Sequence, residues 1–381
     1  MNILRTLLQR PRKEAGDFLD FLRKKRAYNV DIWNKEQNEA VSSLIADVQA
    51  LLHDKTLSKA QVAQKLEPLQ HKASLWFRAG SEDSWREWTE VFLVAAVIAI
   101  SFKTYLFQPF KIPTHSMKPT LYGIYIEKQP LDVSPPGRVT QILDFAIRGR
   151  SHHRLVAQNS GVIQEIRQVR RLGILPFHDT LIRIGTKSYR LGADFDAFRQ
   201  GTRGELEPGQ SVQAGEVLAH FTTEMGDHLF VNKWIYHFRK PTQGEVFVFT
   251  THSIKGIERL NRAQGVYSGQ FYIKRCVGVP GVTLAIKEPY LYSNGTIYEP
   301  SDIFRAIYAK KDGYQGFFHG SSYLTQDDHS VIMKKDQYWA MGDNSANSLD
   351  SRSWGHVPRQ NLVGTGAFVY WPITKRWGFI R

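Results

Sequence analysis

Gln270-Phe271-Tyr272-Ile273-Lys274-Arg275-Cys276-Val277-Gly278-Val279-Pro280-Gly281 is a run of aromatic and β-branched residues closed by Gly and Pro, and it decides the fold class. Runs of this length and composition, bounded by turn formers, read as β-strands rather than helices. The same punctuation recurs at Gly244 to Thr250 and at Asn294-Gly295. Residues 108–381 are therefore read as a mostly β domain. Within the opening run, the two-residue period sends Lys274 and Cys276 to one face and Arg275 to the other, so one of the two cations is expected to point inward.

Upstream of this domain the character changes. Val91-Phe-Leu-Val-Ala-Ala-Val-Ile-Ala-Ile100 and the residues through Phe107 form an apolar run near the lower length limit for crossing a bilayer. Trp85 and Trp88 precede it, and Tyr105, Phe107 and Phe110 follow, a pattern of two aromatic belts. Residues 85–107 are expected to be a transmembrane anchor. A buried core helix is the competing reading. Lys72, Arg78 and Arg86 on one side balance Lys103, Lys111 and Lys118 on the other, so charge does not orient the segment.

Residues 1–84 are expected to be a helical arm. Its start, Met1 to Arg10, breaks its apolar run too early for a cleavable leader and is expected to be retained. Val41, Leu44, Ile45, Val48, Leu51 and Leu52 recur at helical spacing. Ser58 with Gln61 reads as a capping box opening a second helix, which Pro68 is expected to end. The arm is thus expected to be a helical hairpin.

The chain has 381 residues, net charge +14 and one cysteine, Cys276, so no internal disulfide framework exists. The first 90 residues carry 15 Lys/Arg against 13 Asp/Glu and the rest 35 against 23, which places the basic excess downstream. Such a domain suits an anionic membrane surface or nucleic acid, and charge alone does not separate the two.

Three clusters carry candidate chemistry. Ile112-Pro113-Thr114-His115-Ser116-Met117-Lys118-Pro119 sets a serine between two prolines just past the apolar run, where ladder pairing is blocked. Lys274 sits in an apolar strand, where burial of an ammonium makes it lose its proton more easily, as a general base must. Met341-Gly342-Asp343-Asn344-Ser345-Ala346-Asn347-Ser348-Leu349-Asp350-Ser351-Arg352 is rich in short polar side chains suited to turns, to orienting a lysine, or to bracing a site.

Taken in order, these three segments, together with Gly226 to Lys233 and Pro241 to Phe249, resemble the type I signal peptidase (leader peptidase) family of Ser/Lys-dyad serine proteases. The resemblance implies a signal-peptidase-like β fold, a catalytic Ser116 activated by a neutral Lys274, and no cofactor. It further implies an oxyanion hole from Thr114 and the Ser116 N–H, a hydrogen bond from Ser348 to Lys274, and support from Arg275, Asp343, Asp350 and Arg352. Ile112, Pro113 and Ile273 match positions that line small substrate pockets. The implied reaction is removal of N-terminal signal peptides from exported preproteins after small-x-small motifs. The implied location is a bacterial-type plasma membrane, single-pass, with the catalytic domain extracytoplasmic, so the expected partners are preprotein signal peptides and membrane lipid.

The chain departs from the family at Ser345-Ala346, where many bacterial members are charged, and in a roughly hundred-residue insertion, residues 124–224. Within it, Ser160-Gly161-Val162 and Pro208 to Gly215 resemble the hammerhead turns of lipoyl or biotinyl carrier domains. No lysine sits in a matching hairpin between them, so the section is read as a small β insertion. The other readings are a non-catalytic basic membrane-associated binding protein, a Ser/Lys protease with one dedicated substrate, a thiol protease built on Cys276, and a metal site at His152-His153. No zinc-finger spacing or aromatic RNP-like segment is present, so no nucleic acid partner is expected.

Overall fold

The computed structural model describes residues 11–31, 33–76, 81–171, 178–202, 206–263 and 269–380. Met1 to Arg10 and Arg78 lie outside the described residues. The chain divides into two units, Met1–Val97 and Ile98–Arg381.

Among the described residues, three helices precede the apolar run in the first unit, where the sequence reading expected two: Pro11–Asn29, Lys35–His53 and Lys59–Trp76. The first is heavily charged, yet it buries Leu19 and Leu22 with Val41, Leu44 and Val48 of the second, and Ala15 with Leu51, Val62 and Leu66. The capping box forms, with Gln61 N–H donating to Ser58 Oγ at 3.3 Å and Ser58 N–H to Gln61 Oε1 at 2.9 Å. Pro68, however, does not end this helix. Leu69, the next residue, and Ala73, just over one turn beyond, pack into the bundle core, and that burial outweighs the lost backbone hydrogen bond. The following helix, Ser81–Ser101, and a π-helical stretch, Phe102–Leu106, contain one segment long and apolar enough to cross a membrane, Trp88–Leu106, with none of it buried.

In the second unit, an eight-stranded antiparallel sheet runs in the order Phe107–Lys111, His228–Asn232, Leu362–Trp371, Val246–Thr250, Phe271–Gly278, Gln337–Met341, Val357–Pro358, with Gly378–Phe379 added beside Leu362–Trp371. The opening run of the sequence analysis is thus an inner strand, with Lys274 opposite Phe247 and Arg275 opposite Met341. One core cluster holds Ile112, Met117, Leu121, Val246 and Val248; another holds Phe247, Phe249, Cys276, Tyr338 and Trp354. A four-stranded sheet, with Thr283–Lys287 and Tyr290–Ser293 at its centre, adds a third core with Phe304 and Phe317.

The insertion enters and leaves through paired strands, Tyr125–Lys128 against Val217–Glu224, with Tyr125 opposite Glu224. Its neck is tight. A Cβ on Gly226 would strike the Ile112 carbonyl, and one on Gly123 the Thr114 carbonyl, so only glycine fits at either place. Beyond the neck, a three-stranded and a four-stranded sheet enclose their own core around Ile163, Ile182, Phe198 and Phe221. The two turn-rich stretches pair with each other, Gly161 opposite Val212 and Val162 opposite Ser211.

Candidate active site

Ser116 begins a turn that is fixed from both ends. Ile112 N–H donates to the Asp227 carbonyl at 2.9 Å, which extends the edge pairing one residue past Lys111. Met117 and Leu121, both wholly buried, then pin the turn, with Leu121 N–H donating to the Met117 carbonyl at 2.9 Å. Ser116 itself is 8% exposed.

Lys274 meets it from the inner strand. Lys274 Nζ donates a short hydrogen bond to Ser116 Oγ, and its side chain is buried with the ammonium 5.9 Å from the Tyr272 ring centroid. Both cations of this strand are inward, where the sequence reading expected one, and they are treated differently. Arg275 has a bidentate partner: Nε donates to Asp343 Oδ1 at 2.7 Å and an Nη to Oδ2 at 2.6 Å. It also donates to the Gly244 carbonyl at 2.7 Å. The second carboxylate, Asp350, is likewise held by Arg352, with both contacts at 2.8 Å. With Asp343 and Asp350 each spent on an arginine, Lys274 has no ion-pair partner among the described residues, and burial lowers its pKa to about 8. Asp350 raises that value through space and Arg352 lowers it.

The loop after strand Gln337–Met341 ties the two halves together. Asn344 N–H donates to the Ser116 carbonyl at 3.0 Å, and Asn344 Nδ2 donates to the His115 carbonyl at 3.0 Å. Gly342 passes so close that a Cβ there would strike Ser348 Oγ and the Ser116 carbonyl. Arg352 clamps the far end by donating to the Ser345 carbonyl at 2.6 Å and the Phe318 carbonyl at 2.7 Å. Asp350 accepts from Gly342 N–H at 3.1 Å. At Ser345-Ala346, where the chain departs from the charged residues of many bacterial members, it is the Ser345 hydroxyl, 2.8 Å from Arg352, that takes part in the bracing.

The Ser116 N–H and the Thr114 hydroxyl have no hydrogen-bond partner among the described residues, and Thr114 is exposed. Ile112 and Ile273 pack in one apolar cluster beside Met117, while Pro113 is exposed. The expected hydrogen bond from Ser348 to Lys274 is not formed. Ser348 Oγ is buried without a partner against Gly342, while Lys274 Nζ bonds Ser116.

Sequence reasoning missed Asn344 and Thr120. Thr120 bonds Asp343, lies 2.9 Å from the Tyr314 hydroxyl and accepts from Arg275 at 3.3 Å. Asn344 stood inside a cluster already quoted, and its place next to Asp343 was the available signal. The rival chemistries lose their geometry. Cys276 is wholly buried, which pushes its thiol pKa well up, and its sulfur faces the Gly278 carbonyl. His152 Nε2 lies 3.1 Å from Asp144, while His153 packs on Phe221 and is held neutral by burial, its pKa near 4. The described residues hold no cluster of three metal-ligating side chains.

Comparison with known proteins bears on this geometry. The family described as "Signal peptidase, peptidase S26" matches residues 85–134 and 215–371, more than half of the chain, and leaves most of the insertion unmatched. A probable signal peptidase I-1 of Synechocystis sp. is 32% identical over 157 residues, covering 41% of this chain and 68% of its own length. Signal peptidase I of Bacillus amyloliquefaciens is 35% identical, covering 34% and 68%, and signal peptidase I T of Bacillus subtilis is 32% identical, covering 40% and 69%. The chain therefore belongs to the signal peptidase family, peptidase S26, and is a serine endopeptidase that removes signal peptides.

Proposed function

We propose that Ser116 is the nucleophile and Lys274 the general base, and that the enzyme cuts exported preproteins after small-x-small motifs. The contact between Lys274 Nζ and Ser116 Oγ in a buried setting carries this reading. A serine hydroxyl attacks a peptide carbonyl only when its proton has somewhere to go. With a pKa of about 8, roughly one molecule in ten is neutral at pH 7, and substrate that covers the site removes further water and lowers the value again.

Ser116 Oγ adds to the carbonyl carbon as its proton passes to Lys274 Nζ. Collapse of the tetrahedral species breaks the C–N bond, and Nζ returns that proton to the leaving amine. Water then adds to the ester as its proton passes to Nζ, and collapse breaks the bond to Ser116 Oγ, which takes that proton back from Nζ as the signal peptide leaves with its new carboxylate end. The Ser116 N–H and the Thr114 hydroxyl, both unpartnered, are the donors that receive the oxyanion. Ser348 orients Lys274 after a rotation of its hydroxyl. Arg275 with Asp343, and Arg352 with Asp350, hold the strand and the loop that carry the dyad. Ile112 and Ile273 form the apolar floor against which small side chains pack, with Pro113 at the rim.

Trp88–Leu106 anchors the enzyme in the membrane in a single pass with the catalytic unit extracytoplasmic, so that preprotein and enzyme share one surface. The test is cleavage of a purified preprotein in detergent by the wild type and by Ser116→Ala, with the new N-terminus identified by mass spectrometry. Cutting after a small-x-small sequence that disappears in the variant is expected. Equal cutting by both proteins removes Ser116 from its role.

A further inference from the structure

The insertion carries an amphipathic segment that is inside out. Helix Arg138–Leu143 continues into a π-helical stretch, Asp144–Arg148, and neither has a buried residue. Val139, Ile142 and Leu143 fall at helical spacing on one face and are 72%, 67% and 52% exposed. The polar side chains turn the other way. Gln141 donates to the Pro136 carbonyl at 2.8 Å, and Asp144, the segment's one acidic residue, meets His152 and accepts from the exposed Arg148 at 3.3 Å. A surface helix normally buries its apolar stripe and wets its polar one, so this arrangement needs an apolar partner outside the fold.

The segment is fixed rather than loose. Phe145 packs edge-on against Trp371 with ring centroids 5.7 Å apart, Trp371 Nε1 donates to the Ala146 carbonyl at 2.8 Å, and Ile373 N–H donates to the Ile147 carbonyl at 2.7 Å. Trp371 lies opposite His228, which lies opposite Lys111. From Phe107, where the apolar helix ends, this is ~14 Å along the strand and ~10 Å across the sheet. Exposed Arg138 and Arg148 bracket the apolar stripe, and exposed Ile373, bonded to Ile147, lies beside the segment with exposed Lys375 two residues on. Together these make a basic rim around an apolar face, tethered within a few tens of ångströms of the bilayer.

We propose that the segment Arg138–Arg148 lies in the membrane interface as a second attachment, its apolar face among acyl chains and its arginines among anionic headgroups. The inference rests on the reading of Trp88–Leu106 as a membrane anchor. Such a contact fixes the catalytic sheet's tilt and height above the membrane, which a single flexible anchor does not.

The full chain, reconstituted into vesicles of phosphatidylcholine and phosphatidylglycerol, tests this with an environment-sensitive fluorophore on Ile142→Cys, Lys187→Cys or Val94→Cys; the native Cys276 is buried and unreactive. Nitroxide-labelled lipid is expected to reduce emission about twofold at Ile142 and at Val94 and to leave Lys187 unchanged. Leu143→Asp is expected to abolish the Ile142 effect while detergent-phase cleavage persists. Omitting phosphatidylglycerol is expected to weaken it. Quenching at Val94 without quenching at Ile142 overturns the interfacial segment alone. Loss of both overturns it together with the anchor. Protection at Ile142 that follows preprotein addition or protein concentration rather than lipid assigns the face to substrate or a second copy and also overturns it.

Discussion

Replacing Lys274 by arginine keeps a cation in place but removes the capacity to give up its proton. In the wild type, kcat/KM for a preprotein peptide is expected to rise about tenfold between pH 6 and 7, reach half its plateau near pH 8 and level off above pH 9, because kcat/KM reports the free enzyme's essential base. The Lys274→Arg enzyme is expected to stay about 10²–10⁴ below the wild-type plateau from pH 6 to 10, without the wild type's rise and with no recovery at pH 10. Stopped-time cleavage in detergent from pH 6 to 10 measures both. A wild-type limb near the ordinary lysine value of 10.5, or an arginine variant that follows the same curve, refutes the assignment.

The same group makes a linked prediction about stability. Burial depresses the native pKa of Lys274, so between pH 8 and 10.5 the unfolded chain holds a proton that the native one has lost. Unfolding free energy therefore rises with pH across that window. Below it the full cost of burying the ammonium applies, about 3 kcal/mol at ~1.4 kcal/mol per tenfold. Lys274→Met is expected to be more stable than wild type near pH 7, less the hydrogen bond lost to Ser116, and the gap is expected to close by pH 10.5. Urea denaturation of both proteins at several pH values measures the gap, and a gap independent of pH contradicts the assignment of a depressed lysine.

Thr114→Val, which keeps shape and removes the hydroxyl, is expected to lower kcat by about 10²-fold while Thr114→Ser stays near wild type, as measured in the same cleavage assay. Asp343→Asn strands the buried Arg275 and is expected to cost about 3–5 kcal/mol, read as a lowered denaturation midpoint. Gly342→Ala places a methyl against Ser348 and the Ser116 carbonyl, so it is expected to cost about 1–3 kcal/mol and to reduce kcat more than it raises KM.

How legible this molecule was in its sequence depended on the range of the contacts. Lys274 stood out because a cation in an apolar strand is a local conflict, and the turn chemistry around Ser116 was equally local. Ser58 and Gln61 announced their cap three residues apart. What escaped was decided across the fold. The inward turn of Arg275 needs Asp343, 68 residues away, and Thr120 joins that pair from further still. Pro68 was misread because its helix is held by burial of Leu69 and Ala73 on neighbouring helices, which no local rule contains. The first helix was missed because its charges hid a narrow buried stripe.

The pairing of charges explains why one cation of the strand is inert and its neighbour is poised for reaction. At this site three buried cations, Lys274, Arg275 and Arg352, stand beside two buried carboxylates, Asp343 and Asp350. A guanidinium meets a carboxylate with two parallel N–H donors and holds its proton in any protein setting, so each arginine claims one carboxylate outright. The lysine, a point charge with a labile proton, is left as the group for which losing that proton is the cheapest way to neutralise the site. An arginine at 274 would hold its charge without a partner, and a lysine at 275 would compete for Asp343 with one donor fewer. The order Lys274-Arg275 on opposite faces of one strand thus separates a paired cation from a titratable one, with the Gly342 to Arg352 loop delivering its two carboxylates to the arginines rather than to the lysine.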